Sequence, residues 1–170
     1  MANIIIETER LILRELTLAD AEFILVLVNT PEWLTNVGDR DVHNLADAER
    51  YLQGPIHSYA QYGLGLWAVT LKSDNTPIGL CGLIKRNELE DLDIGYALFK
   101  EYTGKGYALE AAGAVLNKGW NDFNLRRIVA ITIPENIRSG ALLLKLGFTL
   151  EKEFYMDGDT QLLQLYGIAR

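Results

Sequence analysis

The sequence predicts an α+β fold in three layers, αβα, with a mixed central sheet of about seven strands and helices on both faces. Three observations predict it. The chain has 170 residues, of which 49% are hydrophobic and 23% charged, enough apolar material for one core and too much for disorder. Three strand-like segments follow one another closely between Leu66 and Phe99. Beyond that point helical and strand patterns alternate. The expected order is strand, two helices, three strands, helix, strand, helix, two strands, read as one domain over residues 1–170.

Arg10 to Glu15 is short, apolar at its centre and bounded by charge, which suits a first strand. Thr17-Leu-Ala-Asp20 places a hydroxyl and a carboxylate where they can hold the free N–H groups of a helix start. That helix runs to about Asn29 and stops at Thr30-Pro31, because proline disfavours helix in the residue before it. Residues 31–44 lack periodicity and read as a long loop with at most a short helical turn. A second helix opens at Asn44 or Asp47 and ends near Tyr62-Gly63, with Gly54-Pro55 as a point of interruption.

Leu66 to Lys72, Ile78 to Lys85 and Leu92 to Phe99 are rich in β-branched and apolar residues. Ser73-Asp74-Asn75 and Asn87 to Glu90 turn the chain between them, so an antiparallel meander is expected. A helix over Gly104 to Trp120, a strand over Arg127 to Ile133 and a helix over Glu135 to Leu146 follow, the last closed by Gly147. Phe148 to Tyr155 and Leu162 to Ile168 form a final pair around Asp157-Gly158-Asp159.

Composition excludes several functions. With 16 Lys+Arg against 23 Asp+Glu the net charge is −7, so no nucleic-acid partner is expected, since phosphate contacts need a basic face. A single cysteine, Cys81, and two histidines, His43 and His57, argue against a disulfide framework or a metal cluster, and no metal is expected. The first residues lack the features of a signal peptide. The longest apolar stretch in a helical pattern, Phe23 to Val28, is too short for a membrane span. A cytoplasmic protein without membrane contact is expected, as a monomer or a homodimer.

Chemistry concentrates in two stretches. The first is Glu101-Tyr-Thr-Gly104-Lys-Gly106-Tyr-Ala108-Leu-Glu110-Ala111, which follows a strand and opens a helix. Its glycines permit a sharp turn, and the unpartnered N–H groups at a helix start, with the helix dipole, suit a phosphate or diphosphate. A plain strand-to-helix turn explains the glycines equally well. The phosphate-loop pattern is absent, because Lys105 is followed by Gly106, and so is the three-glycine dinucleotide fingerprint. The second stretch is Asn136 to Phe148, where Asn136 and Ser139 share the first turn of a helix. Each is a helix-capping residue or a ligand contact.

Gly104-x-Gly106-Tyr-Ala108 followed by Asn136-x-x-Ser139 and Lys145-Leu-Gly147-Phe148 resembles the GNAT superfamily of acetyl-coenzyme A-dependent N-acetyltransferases. Thr8-Glu-Arg10-Leu-x-Leu13-Arg14 and Asp93-Ile-Gly-Tyr96 extend the likeness over nearly the whole chain. It is nearest to the branch of ribosomal-protein N-terminal acetyltransferases. The resemblance implies acetyl-CoA as co-substrate and a primary amine as acceptor, either a small molecule or a peptide N-terminus. It implies that Thr103, Gly104, Lys105, Gly106, Tyr107 and Ala108 hold the diphosphate, and that Ala97, Leu98 and Phe99 pair with the pantetheine arm where two strands part. Asn136 and Ser139 would meet the arm and the thiol region.

Two departures stand out. Glu101 occupies a place where many members carry Gln or Arg, so it is expected to face solvent. Leu143 occupies the place where many members carry a Tyr that protonates the leaving thiolate, which leaves Ser139 as the nearest hydroxyl. The implied mechanism is direct attack of a neutral amine on the thioester through a tetrahedral intermediate. Asp93 matches a catalytic carboxylate of some members and is the candidate base. Its alternative role is an ion-paired or solvated carboxylate. A freed N–H near Leu98 could polarise the carbonyl. Trp33, Asp39, Arg40, Asp41 and His43 lie where the family builds its acceptor pocket, with Trp33, Asp39, Asp41 and Asp93 as acceptor contacts. Tyr96 and Tyr107 either flank the cofactor or fill the core. The rival reading is a catalytically silent acyl-CoA-binding module.

Overall fold

The meander expected between Leu66 and Phe99 forms the middle of the sheet. The computed structural model describes residues 2–170. In it, β3 (Leu66–Leu71), β4 (Pro77–Ile84) and β5 (Asp93–Leu98) pair in sequence, all antiparallel. β2 (Leu11–Arg14) joins β3, and β1 (Ile4–Glu7) joins β2. On the other side stand β6 (Arg127–Thr132), β8 (Leu163–Ala169) and β7 (Thr149–Phe154), giving eight strands in the order β1-β2-β3-β4-β5-β6-β8-β7. β1 is one strand more than the sequence predicted: Ile4-Ile-Ile-Glu7 is too short and too little alternating to announce itself. Among the described residues only β5 and β6 pair in parallel, which needs the long crossover that the chain makes between them.

Successive strand residues face opposite sides, so each face carries its own core. Trp67, Val69, Cys81 and Leu83 face α4 (Tyr107–Asn121) and α5 (Ile137–Leu146), where Ala111, Ala112, Val115 and Leu143 are buried against them. Ala68 and Leu80 face α1 (Ala21–Leu27), α2 (Pro31–Asn36) and α3 (Leu45–Tyr62), which contribute Ile24, Leu27, Trp33, Ala48 and Leu52. These are the three layers that the sequence predicted. Among the described residues no helix is long and apolar enough to cross a membrane.

Two helices differ from expectation. Residues 31–36 form α2 inside the expected loop, because Thr30 Oγ1 accepts a hydrogen bond from Trp33 N at 3.3 Å and Pro31 sits at the first helical position. α3 runs unbroken through Pro55. Ala48, Leu52, Ile56 and Tyr59 recur along the face packed on the second core, and that continuous apolar face outweighs the one backbone hydrogen bond proline removes.

Candidate active site

The glycine turn has the geometry of an anion cradle. A short 3-10 turn at Lys100–Tyr102 ends β5, and Gly104 and Gly106 then take φ of 75° and 83°. Side chains rarely adopt that left-handed conformation, so the turn needs glycine at both places. α4 starts at Tyr107 with Gly106 at its cap and no side chain capping it. Thr103 N donates to Lys100 O and Glu110 N to Gly106 O. Among the described residues the amides of 104–109, between those two, find no acceptor in the protein. Gly104, Lys105 and Gly106 are exposed, and a Cβ built at Gly104 meets nothing within 4 Å. A row of free donors at the positive end of a 15-residue helix opens to solvent. Glu101 is exposed, as expected.

The turn lies at the open end of a gap in the sheet. β5 and β6 are in register only at Asp93 and Val129, where Val129 N donates to Leu92 O at 3.0 Å. Just before this closed end, Arg127 holds Asp91 at 3.0 Å and Glu151 at 2.6 Å, tying the start of β5 to β6 and β7. Beyond Asp93 the strands part. Phe99 N donates to Ile78 O on the β4 side, so by alternation Tyr96 and Leu98 turn their backbone N–H and C=O groups towards the gap. Ala97, Leu98 and Phe99 are only half-buried. An extended chain inserted there would find main-chain partners, as an added strand does.

Three groups on the α5 side converge. Asn136 caps α5, its Oδ1 accepting from Ser139 N at 3.2 Å. Capping takes one end of this side chain and leaves its NH2 without a partner among the described residues. Tyr96 crosses from β5: its hydroxyl stands 2.9 Å from Ser139 Oγ and donates to the Ser139 carbonyl at 3.2 Å. Burial pushes the Tyr96 phenol well above its ordinary range, and the hydrogen bond with Ser139 opposes this in part. The sequence offered no sign of this pair, because its members are 43 residues apart. Leu143 is 1% exposed and belongs to the core beside α4, so that position serves packing.

Asp93 is at the closed end of the gap, 1% exposed, with Arg86 Nε 3.1 Å and 3.2 Å from its two oxygens. It is not a free carboxylate aimed at solvent; desolvation has brought it a guanidinium partner. Burial raises its pKa, and the charge and hydrogen bond of Arg86 act the other way without cancelling the shift. Trp33, expected as an acceptor contact, is 5% exposed and packs in the second core, its Nε1–H without a partner among the described residues. Asp39, Asp41 and His43 are exposed together in the loop after α2, with Asp41 N donating to Asp39 Oδ1 at 2.8 Å and a wider His43–Asp41 pair at 4.0 Å. Arg40 and Arg86 both bear on the Tyr51 phenol, whose pKa burial raises and these cations lower. A surface hollow of about 460 Å³ between Leu16, Thr17 and α3 residues Ile56 and Tyr59 contains none of the groups above.

A family model described as acetyltransferase (GNAT) domain matches residues 10–149. The chain is 28% identical over 171 residues to the uncharacterised N-acetyltransferase YoaA of Bacillus subtilis (strain 168), covering 98% of this chain and 97% of that one. Over 62 residues it is 40% identical to the [ribosomal protein uS5]-alanine N-acetyltransferase of Escherichia coli (strain K12), spanning 36% of this chain and 31% of the relative. Its fold matches that of RimL, a ribosomal L7/L12 alpha-N-protein acetyltransferase solved in complex with coenzyme A, with a TM-score of 0.84, 20% identity and 98% of each chain covered.

Proposed function

The chain belongs to the GNAT acetyltransferase family, and we propose that it moves an acetyl group from acetyl-CoA to a primary amine, a peptide N-terminus or a small amine, by direct attack. One observation carries this reading: the free amides of residues 104–109 stand at the mouth of the gap between β5 and β6. Diphosphate oxygens fit those donors, and a pantetheine arm fits the exposed edge of β5.

Acetyl-CoA, when bound, supplies an acyl group activated as a thioester. Gly104 to Ala108 then fix the diphosphate end, and Ala97 to Phe99 guide the arm towards the closed end of the gap. The backbone N–H of Leu98, turned into the gap, is a donor for negative charge developing on the carbonyl oxygen. Ser139 Oγ, held by Tyr96, hydrogen-bonds the departing sulfur. Asp93 takes up the proton of the amine through water; its raised pKa brings it nearer the range a base needs at neutral pH, and Arg86 fixes its orientation. The relatives that modify ribosomal-protein N-termini favour a peptide acceptor, and the net charge of −7 favours a cationic one.

The test is thiol release from acetyl-CoA in the presence of peptides with N-terminal alanine or serine, polyamines and aminoglycosides. Release that depends on one of these amines is expected. Tight CoA binding without release across the whole panel would instead mark a silent acyl-CoA-binding module.

A further inference from the structure

The Thr8 to Leu11 segment lies about a hundred residues from the glycine turn in sequence, yet the fold sets it directly against the turn. Glu110, in the first turn of α4, is the meeting point. Thr8 Oγ1 donates to its Oε1 at 2.6 Å, Arg10 N to the same oxygen at 2.9 Å, and Arg10 Nε to Oε2 at 2.7 Å. The same guanidinium donates through Nη1 to the Lys105 carbonyl at 2.9 Å and lies 4.4 Å from the centre of the Tyr107 ring. Its Nη2 is 3.2 Å from where a Cβ on Gly106 would stand. One side chain therefore touches residues 105, 107 and 110 and stands beside Gly106.

We infer that Arg10 is a positioning residue of the diphosphate site, aiming the turn's amides and screening the carboxylate beside them; this rests on the function proposed above. A trans peptide points its C=O and the next N–H in opposite directions. Holding the Lys105 carbonyl on Arg10 therefore aims the Gly106 N–H away from Arg10, into the cradle. A flip of that peptide would place a carbonyl oxygen there and repel an anion. Glu110 would repel a diphosphate in the same way, being an anion in the first turn of the helix that binds it. Arg10 and Thr8 spend that charge on hydrogen bonds. Burial raises the Glu110 pKa, but the bonds from Thr8 and Arg10 outweigh it and leave the carboxyl below its ordinary value. Lysine cannot replace arginine here, because a point charge cannot serve Glu110 and the Lys105 carbonyl together while lying flat on Tyr107.

The experiment compares two acyl donors, acetyl-CoA and S-acetylpantetheine, which carries the thioester but no diphosphate. In Arg10→Met the ratio of kcat/KM for acetyl-CoA to that for S-acetylpantetheine should fall about tenfold, the usual scale for losing a charge-assisted contact. The loss should appear in KM for acetyl-CoA and in Kd for CoA, with kcat within about twofold. Arg10→Lys should recover only a small part. Should Arg10→Met fail to fold, Arg10→Lys carries the test: it keeps the charge but loses the fork that serves Glu110 and the Lys105 carbonyl together, and it should lower the same ratio several-fold. An unchanged ratio in a folded variant, or an equal loss with both donors, overturns the inference. Failure of the proposed function is distinct: wild-type protein would release no thiol with any amine, whether or not it binds CoA.

Discussion

Tyr96 and Ser139 form the smallest unit on which the proposed chemistry depends. A serine hydroxyl is a poor acid, and its value here is as a donor aimed at the developing thiolate. It can aim that proton only if another group satisfies its oxygen, which the Tyr96 hydroxyl at 2.9 Å does when its single proton turns from the Ser139 carbonyl to Oγ. Cooperative hydrogen bonding also makes Ser139 a better donor when it accepts from Tyr96. Tyr96→Phe should therefore lower kcat about fivefold to tenfold with little change in KM for acetyl-CoA, at a stability cost of about 1 kcal/mol. In a Ser139→Ala background the same substitution should change kcat by less than about twofold, because the two side chains act as one unit. Equal effects of Tyr96→Phe in wild type and in Ser139→Ala would show that the phenol acts without the serine hydroxyl, through packing or its bond to the residue 139 carbonyl. Leu143 does not enter this unit: it is buried in the core, and the unit joins a serine of α5 to a tyrosine of β5.

At the scale of the element, the start of α4 combines backbone conformation and charge in a single position. Gly106→Glu puts a side chain at φ 83° and an anion beside amides meant for a diphosphate. The conformational penalty is about 1–2 kcal/mol, and CoA binding measured by calorimetry should disappear. A folded variant with wild-type affinity would remove the turn from the site. Elements set by local pattern were legible in the sequence: the meander from Leu66 to Phe99, the glycine turn, α4 and α5 with Gly147 behind it. The elements that differ were decided by contacts distant in sequence. β1 exists because β2 offers it an edge. α3 stays whole across Pro55 because its apolar face lies on the sheet. Thr30-Pro31 stops the helix before it and, as a capping residue followed by proline, also starts the next, the local signal for α2. The cofactor side of the site was legible through its glycines. The contacts Tyr96–Ser139 and Arg10–Lys105 were not, since each depends on which distant strand or helix comes to lie beside another; Asp93–Arg86 is local to the β4–β5 hairpin but depends on the register of its turn.

At the scale of the whole molecule, the sheet converts one parallel pairing into a cleft and buries a carboxylate where that cleft closes. Asp93 is paired with a strand on each side, 1% exposed and bonded to Arg86, and burial is the larger influence on it. The sign of its contribution to stability follows. A carboxylate whose pKa in the folded state lies above its ordinary 3.8 keeps its proton longer when folded than when unfolded. Folding is then favoured by low pH, and this contribution is lost as pH rises from 3.8 through the folded value. Asparagine resembles the neutral acid in size and does not titrate. The deficit in Tm of Asp93→Asn relative to wild type should therefore be widest near pH 4 and narrow towards pH 7. A deficit that widens with pH would mean that the attraction of Arg86 dominates, that the folded pKa lies below 3.8, and that Asp93 is a fixed counter-ion unable to accept a proton at neutral pH. The same measurement therefore tests the balance of burial against ion pairing and the role in proton transfer that depends on it.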